Sequence, residues 1–192
     1  MKTLSASERL KLIASLSSAK KASDRSDISD AIRMALERNP KVYHGSPKKL
    51  DILSSNATGE WSGEKGKGVF VTPYKGIAAN FVVNRPDLVK RIERRLRERV
   101  GDVHFRYDQW DKSTEELQEL PKQVDVRTDV EGFKPIHGRA KGYLYSVDSD
   151  KYPERHMFSK NPNSDVGFLL NGDMVPDKRE RVSVRYTLHP KD

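Results

Sequence analysis

The sequence contains no cysteine. That excludes disulfides, thiolate metal sites and cysteine nucleophiles, and it fits a reducing compartment. No apolar run approaches the ~20 residues that a membrane span needs. The first residues also lack the apolar core of a secretory leader. The expectation is a protein of the cytoplasm, or of a particle assembled there, without a membrane partner. Apolar residues make up 35% and aromatics 8% of 192 residues, enough for one domain with a modest core and an appendage. Charge, by contrast, is abundant at 33%, and 36 Lys and Arg against 28 Asp and Glu leave a net +8. Such a balance suits a polyanionic partner, or simply a soluble basic surface.

The first 40 residues read as a helical appendage. Ser5 and Glu8 have capping-box spacing, and Leu12, Ile13 and Leu16 follow as a short apolar stripe. Residues 17–26 are small and polar, as in a linker. A second helix is expected over 27–38, with Ile28, Ala31, Ile32 and Ala35 on one face, stopped by Asn39-Pro40. These helices pack either on their own domain or on a partner.

From Lys41 onward, the domain proper at 41–192, the pattern changes to short strands mixed with helices. Strands are expected at 41–44, 68–71, 104–107, 123–130, 142–147, 166–170 and 182–188, with a loop at 131–138. Thr72-Pro73 reads as the cap and first position of a helix carrying Ile77, Ala78 and Phe81 inward. A longer helix at 84–100 has Leu88, Ile92 and Leu96 as its apolar stripe. Lys90, Arg91, Arg94, Arg95, Arg97 and Arg99 surround that stripe, either as a nucleic-acid surface or as an ordinary solvated face. A short acidic helix starts at Ser113 and ends before Pro121. Strands and helices without regular βαβ alternation indicate an α+β class.

Chemistry concentrates in Val42-Tyr43-His44-Gly45-Ser46 and Gly66-Lys67-Gly68-Val69-Phe70-Val71-Thr72. His44 ends a strand, where its imidazole can bond a ribose hydroxyl. Gly45 lets a ligand approach the backbone. Phe70 and Phe81, eleven positions apart, are spaced to hold a flat ring, or else are ordinary core. His104, His137 and His156 sit at positions that suggest no particular role. No convincing metal site is visible.

These residues carry a resemblance. Tyr43-His44-Gly45-Ser46 resembles the strand that opens the ADP-ribosyltransferase fold of the diphtheria-toxin and poly(ADP-ribose) polymerase type. The Gly66 to Val71 stretch resembles the family's next motif, with Phe70 where a Tyr is usual. Ala78-Ala79-Asn80-Phe81 resembles the following helix, with Ala78 in place of a Ser. Leu170 to Val175 resembles the strand carrying the catalytic carboxylate, which assigns Asp173, with Asp165 and Asp177 as alternatives. Val182 to Tyr186 resembles the final strand. The resemblance implies a split antiparallel β-sheet core with surrounding helices and NAD as substrate. In it His44 bonds the ribose, and Gly45, with Ser46 beside it, holds the nicotinamide amide. Phe70 and Phe81 stack on the ring, and Asp173 acts as the catalytic carboxylate beside His44.

Two functions follow. One is a mono-ADP-ribosyltransferase that modifies a macromolecular acceptor, similar to small stand-alone members of phage and bacterial genomes. The other is a non-catalytic protein that keeps the fold and docks into a larger assembly such as a phage particle. A plain nucleic-acid-binding protein, using Lys90, Arg91, Arg94 and Arg95, is a third.

Overall fold

In a computed structural model, the structure describes residues 30–54, 69–101, 103–107, 112–151, 157–158, 167–170 and 172–192. The expected helix at the start of the chain, the 17–26 linker, Asp165 and His156 lie outside the described residues. Helix α1 (Asp30–Arg38) buries Ile32 and Leu36, one turn apart, and stops before Pro40 as its sequence dictates. Strand β1 (Lys41–Ser46) follows directly, and β2 (Val69–Val71) is short, with Val69 and Val71 buried.

Helix α2 (Lys75–Asn80) begins two residues later than Thr72-Pro73 suggests. The Thr72 hydroxyl accepts from the Tyr74 N–H at 3.1 Å, so it closes a local turn ahead of the helix instead of capping it. Helix α3 (Arg85–Leu96) buries Leu88 and Ile92, worth about 1.5–3 kcal/mol each. It ends short of the expected Val100, because Arg97 turns left-handed at φ 60° and returns its N–H to the Glu93 carbonyl at 2.7 Å. Helix α4 (Thr114–Gln118) has the capping box its sequence announces. The Glu116 N–H donates to Ser113 Oγ at 3.3 Å, and the Ser113 N–H donates to Glu116 Oε2 at 2.8 Å. The Ser113 N–H bond to its charged form, the largest cause, holds the Glu116 carboxyl below its ordinary value.

The remaining strands are β3 (Phe105–Tyr107), β4 (Gln123–Thr128), β5 (Ile136–Asp148), β6 (Met157–Phe158), β7 (Phe168–Leu170) and β8 (Lys178–His189). Strand β5 absorbs the end of the stretch expected to be a loop, since Ile136 already begins its alternation. A five-stranded sheet runs β1-β5-β8-β4-β3 and a three-stranded sheet runs β2-β7-β6. The larger sheet is mixed: β3 and β4 are antiparallel, whereas β4 and β8 are parallel. The resemblance implied an antiparallel core, and the parallel pair departs from it. The chain between β4 and β8 is long enough for the crossover that parallel pairing requires.

Two compact units can be distinguished, the division falling within β1, β5 and β8. The first holds residues Met1–His44, Leu50–Tyr74 and Tyr145–Arg179. In it α1 meets the turn after β5, where the Ser149 N–H and hydroxyl both donate to the Pro40 carbonyl, at 2.9 and 2.6 Å. The second holds Gly45–Lys49, Lys75–Leu144 and Glu180–Asp192. In it α3 covers one face of β8, with the Arg91 guanidinium 5.7 Å from the centre of the Tyr186 ring. Burial raises the Tyr186 phenol above its ordinary value, and Arg91 opposes that shift.

Candidate functional site

In the first unit His44 is fixed by β2. Its Nδ1 lies 2.9 Å from the Phe70 carbonyl. A carbonyl only accepts, so Nδ1 carries the proton and Nε2 presents a lone pair. Burial pushes the imidazole below its ordinary pKa, partly opposed by the Phe70 bond, and the ring is neutral at physiological pH. A tilted Tyr145 ring stands 6.2 Å away. Tyr145 is fully buried, and its hydroxyl accepts from the Leu50 N–H at 2.6 Å. One residue before His44, Tyr43 exchanges both backbone bonds with Thr72, at 2.7 and 3.0 Å, and so ties β1 to the exit of β2.

Phe70 is half-buried beside β7. A Cβ on Gly167 would fall 2.5 Å from Phe70 Cζ, so glycine there is what lets the ring lie against the backbone. Asp173 is exposed and accepts from Ser54 Oγ at 3.0 Å. Its neighbour Met174 pairs with Leu53 through both backbone bonds, which anchors the segment. Asp177 is committed elsewhere. Its carboxylate accepts from the Asp148 N–H at 2.7 Å and from Lys151, and its own N–H reaches the Ser146 carbonyl at 2.9 Å. Those bonds make Asp177 a structural clasp between the end of β5 and the start of β8.

In the second unit Gly45 sits against α2. A Cβ there would overlap the Ala78 carbonyl oxygen and stand 3.3 Å from Phe81 Cβ. Glycine at this position is thus required by helix packing whatever else it does. Ser46 is buried, and its hydroxyl accepts from the Lys48 N–H at 3.2 Å, turning the chain out of β1. Phe81 falls just beyond α2, half-buried, with its ring centre 5.7 Å from that of Tyr107. The Arg85 guanidinium lies 5.9 Å from the Tyr107 ring and 5.7 Å from that of Phe105. Beside Phe81, Asn80 is 1% exposed, and its Oδ1 has no hydrogen-bond partner among the described residues.

The structure therefore brings His44 beside Phe70, and Gly45 beside Phe81. It adds Tyr145, Ser54, Tyr107 and Asn80, which sequence reasoning missed. Only Asn80 carried a local signal, a polar residue amid the apolar run of α2. Of the basic helix positions, Lys90, Arg94 and Arg95 are exposed, whereas Arg91 is spent on Tyr186. His137 Nδ1 lies 2.9 Å from the Thr187 hydroxyl. Among the described residues no three or more His, Asp or Glu group as metal ligands, and no helix is long and apolar enough to cross a membrane. Comparison with known proteins finds no matching family model, no matching curated protein and no matching solved structure.

Proposed function

We infer that the protein uses NAD to transfer ADP-ribose to a macromolecular acceptor, a reading that rests on the resemblance of its motifs. The observation that supports it best is the edge of β1. Tyr43 points its N–H and C=O away from the sheet, towards Thr72. Strand alternation turns those of Gly45 the same way, and among the described residues nothing bonds them there. A donor and an acceptor side by side on a strand edge match a carboxamide, which offers one C=O and one N–H in return. The nicotinamide amide is such a group. Next to it, His44 Nε2 is an acceptor for a ribose hydroxyl, with its tautomer set by Phe70.

By the resemblance, Phe70 and Phe81 stack on the nicotinamide ring and Asp173 faces the ribose. The reaction breaks the bond between ribose C1′ and the nicotinamide nitrogen. The electron pair leaves with nicotinamide, which becomes neutral, and positive charge develops on the ribose. A carboxylate at that point stabilises the charge. The acceptor nucleophile then adds to C1′ and gives up its proton.

Nicotinamide release from NAD tests the reading. Wild type is expected to release it. His44→Ala and Asp173→Ala, each checked for retained fold, are expected to lose at least ~100-fold in rate, the scale of a misplaced reacting group. If wild type neither releases nicotinamide nor binds NAD, the catalytic reading is overturned and the fold serves as an interaction module within an assembly.

A further inference from the structure

We propose that the outward face of the larger sheet, within the second unit, is a docking surface for double-stranded nucleic acid held through its phosphates. The face is built by simple alternation. On β8, Arg181, Ser183 and Arg185 are exposed, while Val182, Val184 and Tyr186 between them are buried. On β5, His137, Arg139 and Lys141 are exposed between positions that turn inward. Strand β4 adds Arg127 and β3 adds Arg106. The ladder register sets Gln123 beside Arg185, and Arg127 beside Arg106. Six cations thus share one face with a single carboxylate from the strands, that of Asp125. Asp125 is already engaged by Gln123 at 3.0 Å and stands 3.3 Å from His189 Nε2.

Solvated sheet faces ordinarily intersperse both signs. This one does not, and it sets two arginines directly opposite each other, an arrangement that costs stability. Arg106 and Arg127 find partial relief in Asp129 and Asp192, at 3.6 and 3.5 Å. Among the described residues no carboxylate lies within ion-pair distance of Arg139, Lys141, Arg181 or Arg185. Departures from local rules of this kind mark functional surfaces.

Charge complementarity selects a polyanion, and the composition of the face selects a duplex. Single strands are gripped by exposed aromatic rings on which bases stack. The aromatic at an outward position here, Tyr143, is half-buried. From β5 to β3 is three strand spacings, about 14 Å. That is close to the ~12 Å width of a major groove, so cations at the two sides reach phosphates on both of its walls. Helix α3 packs on the opposite face of β8 and forms no part of the surface.

The test is fluorescence anisotropy of a labelled 20-base-pair DNA duplex titrated with the whole protein at several salt concentrations. Wild type is expected to bind with a steep salt slope. The variant Arg139→Thr/Lys141→Thr/Arg181→Thr/Arg185→Thr is expected to bind at least about tenfold more weakly at low salt, with a log–log slope shallower by about 3–4. The variant Lys90→Thr/Arg94→Thr/Arg95→Thr/Arg99→Thr, on α3 and the turn that follows it, removes the same charge and is expected to keep most of the affinity. Equal losses in the two variants, no wild-type binding, or tighter binding to the matching single strand would each overturn the proposal. If the sheet variant fails to fold, wild type alone decides. Duplex should protect Lys141 from an amine-acylating reagent while leaving Lys90 reactive, and the reverse pattern refutes the surface.

Discussion

His44 combines a fixed tautomer with a depressed pKa, and both have the same origin. Packing strips water from the ring, which disfavours the charged form, while the Phe70 carbonyl demands a proton on Nδ1 and leaves Nε2 as the acceptor. The sign of the linkage follows. In the unfolded chain the ring titrates near 6.5, and in the folded chain below that. The stabilisation is therefore complete above pH 6.5 and is lost as the pH falls from there towards the folded value. Urea midpoints at pH 7.5 and 5.5 are expected to show this loss, and His44→Asn is expected to reduce it. An unchanged pH dependence in the variant would show that His44 is not the group responsible. The imidazole itself was recognisable in the sequence from its place before Gly45. Its proton was not, because that depends on a carbonyl 26 residues further on.

Elements were legible where a single local rule governs them. The Ser113 capping box, the Asn39-Pro40 stop and the stripe of α3 need only neighbours in the chain, and they fold as written. Boundaries set by backbone conformation were not legible. Nothing local in Arg97 forecasts its left-handed turn, and nothing in Thr72 separates a cap from a turn. Glycine in β1 suggested ligand approach, yet the nearest claim on the space comes from α2, whose Ala78 carbonyl occupies it. A backbone atom cannot swing aside as a side chain can. Gly45→Ala is therefore expected to destabilise the fold by about 1–3 kcal/mol, the usual cost of overpacking, measured as a shifted denaturant midpoint at unchanged slope. A neutral result would mean that α2 yields readily and that its contact with β1 is loose.

For the whole molecule, the decisive pairings join distant parts of the chain. Val71 pairs with Phe168, and Gln123 with Arg185 in parallel. Such contacts close long loops before they return any stability, which slows folding. Stopped-flow refolding is expected in the millisecond-to-second range, and microsecond folding would contradict a transition state that needs these ladders.

The sequence by itself determined the α+β class, most helices and strands, the absence of thiol chemistry, and His44 as the residue with most chemical promise. Those properties follow from composition, from period and from side chains whose preferences act over a few residues. The tertiary structure alone decided that Asp177 is clasped by the Asp148 N–H and Lys151, that β4 and β8 run parallel, and that scattered arginines and a lysine on four strands share one face. Each depends on which strands become neighbours and in what register. That is set by long-range burial competing over the whole chain, so no window of sequence contains it.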